Sequence, residues 1–111
     1  AAGELKHGTI ALIDYERLVV ALACHDALFD KTMSNIREVK ARGAKVLGVA
    51  QEGDRRILTE ADDAIFIPAG DPLLLPIPET VPMQLFAYYV AKGNGCDIDK
   101  PKNLAKSVTV E

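Results

Sequence analysis

Three continuous apolar runs, RLVVALA (Arg17 to Ala23), KVLGVA (Lys45 to Ala50) and AIFIP (Ala64 to Pro68), limit what this chain can fold into more than anything else in it. A half-solvated strand alternates apolar and polar residues with period two. Unbroken runs are instead what strands buried on both faces of a parallel sheet look like. Between the first two runs, HDALFDKTMSNIREVKARG repeats Phe29, Met33, Ile36 and Val39 at helical spacing. Asp26 or Asp30 can cap its start and Gly43 can take a left-handed exit. Strand, crossover helix, strand, then a third apolar strand indicates an α/β layered fold with right-handed crossovers rather than an antiparallel sandwich.

The rest of the chain is less regular. Gln51 to Asp63 is polar and reads as a loop with one turn of helix around Leu58 to Ala61. Pro72, Pro76, Pro78 and Pro82 forbid regular structure until Thr80 or Val81 caps a last helix, which runs to about Lys92 and is ended by Gly93 to Gly95. VPMQLFAYYVAK is apolar on nearly every side, as expected of a helix buried between layers or against another subunit. At the N-terminus, TIALI suits a strand, whereas Glu4, Leu5, His7 and Ile10 suit a short helix.

Composition narrows the function. The 111 residues, 49% hydrophobic and 26% charged, fit one compact domain. A net charge of -3, with the cations spread along the chain, argues against a nucleic-acid partner. No apolar run reaches the roughly 18 to 20 residues of a membrane span, and AAGELKHG lacks the features of a secretory leader, so the chain reads as soluble and cytoplasmic. Starting at Ala1 without a methionine, it reads as processed or as cut from a longer polypeptide. Cys24 and Cys96 match no zinc spacing and are too few for a disulfide scaffold.

Three side chains offer chemistry, each with a plainer reading beside it. His7 carries an imidazole able to move protons near neutral pH, or is an exposed loop histidine. Glu4 lies three residues before it and on a helix would share its face, orienting the ring, or is a solvated carboxylate. Lys106 stands in NLAKSVTVE, with no other charge between Lys102 and Glu111. If that tail folds inward, apolar surroundings would favour the neutral, nucleophilic amine; otherwise Lys106 is a surface lysine. His25 receives no role. Glycine-rich phosphate loops are missing and serine occurs only at Ser34 and Ser107, so most of any phosphate cradle lies outside this chain.

GELKHG at the start, DKTMSNIREVKARGAKV in the middle, VPMQLFAYYVAK, and DKPKNLAKSVTVE at the end resemble the C-terminal part of the isomerising glutamine:fructose-6-phosphate aminotransferases, within the second of their SIS (sugar isomerase) domains. The likeness covers essentially the whole chain. It implies a three-layer α-β-α SIS-type fold with a parallel sheet, present as a partial domain over residues 1–98, and a tail over 99–111 that covers the sugar-phosphate site. It also implies an activity, the conversion of fructose 6-phosphate to glucosamine 6-phosphate with ammonia from glutamine. Within that activity the resemblance makes Lys106 the amine that forms a Schiff base with C2 of the open-chain sugar. His7 becomes the promoter of ring opening in the neighbouring subunit's site of a homodimer, Ala105 a residue whose backbone lines the sugar site, and Glu4 a supporting residue. No metal and no cofactor is implied, since the lysine carries the imine chemistry.

Two departures qualify the resemblance. Thr9 stands where the family usually has proline after KHG. The family's general-base glutamate and its phosphate-holding serines and threonines have no position in this chain. The glutaminase domain and the earlier SIS segments are therefore expected partners, and the chain alone is expected to be inactive. A different class of function also fits, a non-catalytic SIS-type module that binds a sugar phosphate as a regulator. A domain whose tail is mere surface is a third reading. Whichever holds, cutting a parallel sheet leaves an unpaired edge and an uncovered apolar helix. The isolated 111 residues should therefore self-associate, aggregate or depend on the rest of the polypeptide, and sedimentation velocity showing a monodisperse, cooperatively unfolding monomer would refute this.

Overall fold

The computed structural model describes residues 2–24, 27–100 and 102. The three runs form β1 (Leu18–Leu22), β2 (Lys45–Gln51) and β3 (Asp63–Ile67), all parallel and ordered β1-β2-β3. Helix α1 (Phe29–Lys40) crosses from β1 to β2, a 3₁₀ turn over Arg56–Thr59 joins β2 to β3, and helix α2 (Pro76–Gly93) follows. The chain divides into two compact units, 1–79 and 80–111, with the sheet and α1 in the first.

Register shows which face builds the core. Val19 pairs with Val46, Ala21 with Gly48, Gly48 with Ala64 and Ala50 with Phe66, so these residues share one face of the sheet. On that face, Val19, Ala21, Val46, Ala50 and Ala64 pack with Phe29, Met33, Ile36 and Val39 of α1 and with Ile57. All four α1 residues are the ones the helical spacing selects. Burial of each large side chain stabilises by about 1.5–3 kcal/mol, so this cluster outweighs any single surface pair. Gly48 admits the close approach: a Cβ there would lie 2.5 Å from Ile57 Cγ1.

Both helices end in the same device. Gly43 (φ 91°) donates to Lys40 O at 2.9 Å while Ala44 N reaches back to Val39 O at 3.3 Å. Gly95 (φ 69°) donates to Lys92 O at 3.1 Å while Cys96 N reaches Ala91 O at 2.9 Å. These are Schellman motifs, in which glycine takes the left-handed backbone that a side chain disfavours.

Several expectations are corrected. β1 is not buried on both faces: it stands at the sheet edge, and Leu18 and Leu22 are 51% and 48% exposed. Asp26 lies outside the described residues. Asp30 sits within the first turn of α1 rather than capping it; the cap position is Leu28, and Asp30 instead meets Arg56 at 3.5 Å. The turn between β2 and β3 falls at Arg56–Thr59, two residues before the expected place. The last helix begins at Pro76, not after Thr80. First-turn N–H groups have no intrahelical acceptor, so Pro76 and Pro78 remove nothing there, and Pro82 removes one bond from an 18-residue helix. Although α2 is apolar on every side, none of its residues is buried. The N-terminal ambiguity resolves into two 3₁₀ helices, Ala2–His7 and Thr9–Leu12, with Thr9 at the first position of the second in place of proline.

Two ion pairs tie α1 to the segment before β3: Arg37 Nε to Glu60 Oε1 and Lys40 Nζ to Asp62 Oδ1, both 2.7 Å. Solvent-exposed pairs contribute about 0–1 kcal/mol each, so they set position more than stability. Asp62 does more than pair, because its second oxygen accepts from Val46 N at 2.7 Å. The hydrogen bond from Lys40, and then that from Val46, hold its carboxyl below the ordinary value of 3.8. A lowered carboxyl stabilises the fold above that value and ceases to as pH falls through the folded pKa. Acid titration of folding should accordingly show the stability gap between wild type and Asp62→Asn, open at pH 7, closing below about pH 3.8.

Gly48→Ala should lower stability by about 1–3 kcal/mol in urea denaturation, through the clash with Ile57. Combined with Ile57→Ala it should cost less than the sum of the single changes. Additive losses would remove Ile57 as the reason for glycine.

Candidate functional site

The 3₁₀ helix Ala2–His7 carries both N-terminal candidates: Glu4 in its first turn, His7 as its last residue, both exposed. Residues three apart eclipse on a 3₁₀ helix, so Glu4 and His7 do lie on one side of it. No hydrogen bond or ion pair joins them among the described residues, and the orienting contact is not made. Gly8 N, just past the helix, closes the turn onto Leu5 O at 3.2 Å, and Leu5 is the residue of this segment that packs against the core. His7 is thereby held on a short anchored arm with its ring in solvent. Ala105, Lys106 and His25 lie outside the described residues.

The structure adds a feature that the sequence reading passed over as loop. At the carboxyl end of β2, Gln51 to Arg56 line an open polar depression of about 590 Å³. In parallel α/β sheets the carboxyl ends of the strands are where ligands collect. Its wall is braced to α1: Arg56 stacks over the Phe29 ring at 4.1 Å and approaches Asp30 and Asp54 at 3.5 Å each. Asp54 Oδ1 also accepts from Arg56 N at 2.9 Å, fixing the turn into the 3₁₀ segment. Gln51 is buried, an unusual place for a carboxamide, which nothing in the letters QEGDRR announces. Gly53, at φ 90°, makes the turn.

Other chemistry is sparse. Cys24 is buried and Cys96 exposed, and neither stands in a disulfide. Among the described residues no group of three His, Cys, Asp or Glu could hold a metal ion, and no helix is long and apolar enough to cross a membrane.

Parallel strands joined by a helical crossover define an α/β domain with a parallel sheet, and comparison with known families names its kind. The SIS domain family matches residues 1–92, and the chain belongs to that family. Within it, the chain is similar to glutamine–fructose-6-phosphate aminotransferase (isomerizing). It is 53% identical to that protein of Clostridium tetani over 111 residues, and 56% identical to that of Thermus thermophilus over 110 residues, 100% and 99% of this chain but 18% of each relative. Among solved structures it matches the C-terminal domain of glucosamine-fructose-6-phosphate aminotransferase from Francisella tularensis at a TM-score of 0.78 and 36% identity, covering 89% of this chain and 28% of that one. It thus spans about a fifth of the length of the relatives it matches, in their C-terminal part.

Proposed function

We propose that this chain is the C-terminal portion of the isomerase half of a glutamine–fructose-6-phosphate aminotransferase, making glucosamine 6-phosphate from fructose 6-phosphate in the cytoplasm. The observation that carries this reading is identity above 50% running over the whole chain, so that both GELKHG and the terminal NLAKSVTVE fall within the matched length. Residues 1–98 act as scaffold, and residues 99–111 as a tail over the sugar.

The chemistry divides between the two ends. The Lys106 amine attacks C2 of the open-chain ketose and water departs, giving an iminium that acidifies the C1 protons. The His7 imidazole moves the proton needed to open the sugar ring. An exposed ring on an anchored arm suits a group that works in the neighbouring subunit of a homodimer, with Glu4 beside it in support. Ala105 lends backbone to the sugar site, and a closed tail keeps water from the imine and ammonia from escaping. Binding of the phosphate and the C1 to C2 proton transfer fall to residues elsewhere in the polypeptide.

Subunit mixing tests the division. In the full-length enzyme, Lys106→Arg should abolish product and His7→Gln should lower kcat by about 10²- to 10⁴-fold. A re-formed equimolar mixture should regain about a quarter of wild-type activity, because half the dimers are mixed and each of those holds one intact composite site of two. Recovery absent despite proven mixing would place His7 in its own subunit's site, and full activity of Lys106→Arg would remove Lys106 as the nucleophile.

A further inference from the structure

We propose that Leu5 is a positioning residue: its side chain, seated on the core, sets where the His7 ring stands and so how well that ring serves in opening the sugar. The inference rests on the proposed role of His7 and adds the residue through which the fold controls that role.

Exposure along the N-terminal segment singles Leu5 out. From Ala2 to Thr9 every residue but Leu5 is exposed. Two side chains of the arm reach the core cluster, Leu5 in the first 3₁₀ helix and Ile13 just past the second. Leu5 lines an apolar trough of about 520 Å³ together with Val19 of β1 and with Ile36 and Val39 of α1. The arm is thus pinned at two places, and His7 stands beside the first pin.

The path from Leu5 to His7 is short. Gly8 N donates to Leu5 O at 3.2 Å, closing a turn whose two inner residues are Lys6 and His7. Among the described residues no hydrogen bond or ion pair holds the imidazole itself. Within this chain its place is therefore set by the backbone of that turn, and the turn takes its place from Leu5. The flanking Glu4 and Lys6 are exposed and offer no second seat. Emptying the seat leaves the turn closed but free to shift, and a misplacement of about 1 Å can cost a reaction about 10²-fold.

Steady-state kinetics of the full-length enzyme, with glutamine and fructose 6-phosphate as substrates, test this. Leu5→Ala should lower kcat about 10- to 100-fold with KM for the sugar within about twofold, and Leu5→Met should restore most of the loss. Leu5→Val, which keeps the seat partly filled, should fall between and supplies the readout if the alanine variant does not fold. Ile13→Ala, which removes the other pin beyond the second 3₁₀ helix, should leave kcat within about twofold of wild type. In a His7→Gln background, Leu5→Ala should cost less than about twofold more, because a ring already absent cannot be misplaced. Equal losses from Leu5→Ala and Ile13→Ala, a full further loss in the His7→Gln background, or an unchanged kcat in Leu5→Ala would each overturn the proposal while leaving His7 its role. An unchanged kcat in His7→Gln would instead remove the reading on which the proposal rests, and the proposal with it.

Discussion

The described core depends on β2 being paired along both of its edges. A parallel strand has no hairpin to hold its neighbour, so its pairing forms only once a crossover has closed and packed. Here α1 closes one side and the Arg56–Thr59 turn the other, and both press on the same face of the sheet. Gly48 at the middle of β2 lets Ile57 come down onto the sheet, which is how so short a connection can replace a second crossover helix. Asp62 then holds β3's approach against the start of β2 through Val46 N. The carboxyl end of β2, with its depression, is placed by these contacts.

What could be read from the sequence was what is local. The buried face of α1 is legible because helical periodicity selects Phe29, Met33, Ile36 and Val39 without reference to anything outside the helix. Gly43 and the Gly93 to Gly95 cluster are legible because a left-handed exit favours glycine wherever it occurs. The edge position of β1 is not legible, since an apolar run records how greasy a strand is and not how many neighbours it has. Gly48 gave no signal either, because its reason, Ile57, lies on another element. The prolines misled for a more instructive reason: a rule about helix interiors does not apply in a first turn, where N–H groups are unpaired in any case.

The candidate site was legible in a different way. Spacing alone put Glu4 and His7 on one side of a short helix, and the 3₁₀ geometry does so, but spacing says nothing of a bond between them, and none is made. The charge-free stretch around Lys106 offered a hint, but only the motif in which it stands gives it a role. The proposed composite site would produce this: with the phosphate cradle and the general base on other segments, the residues left behind would carry little local trace of their chemistry. The unpaired edge of β1 and the exposed apolar surface of α2 describe the same incompleteness in structural terms.

The most direct measurement is borohydride reduction of the full-length enzyme in the presence of fructose 6-phosphate, followed by peptide mass spectrometry. A reduced sugar adduct on Lys106, absent from the 111-residue chain alone, is the predicted result, with the nucleophile here and the binding groups elsewhere. No adduct on Lys106, in a protein independently shown to bind the sugar phosphate, would contradict the Schiff-base role and leave this chain as part of a site that binds without bonding.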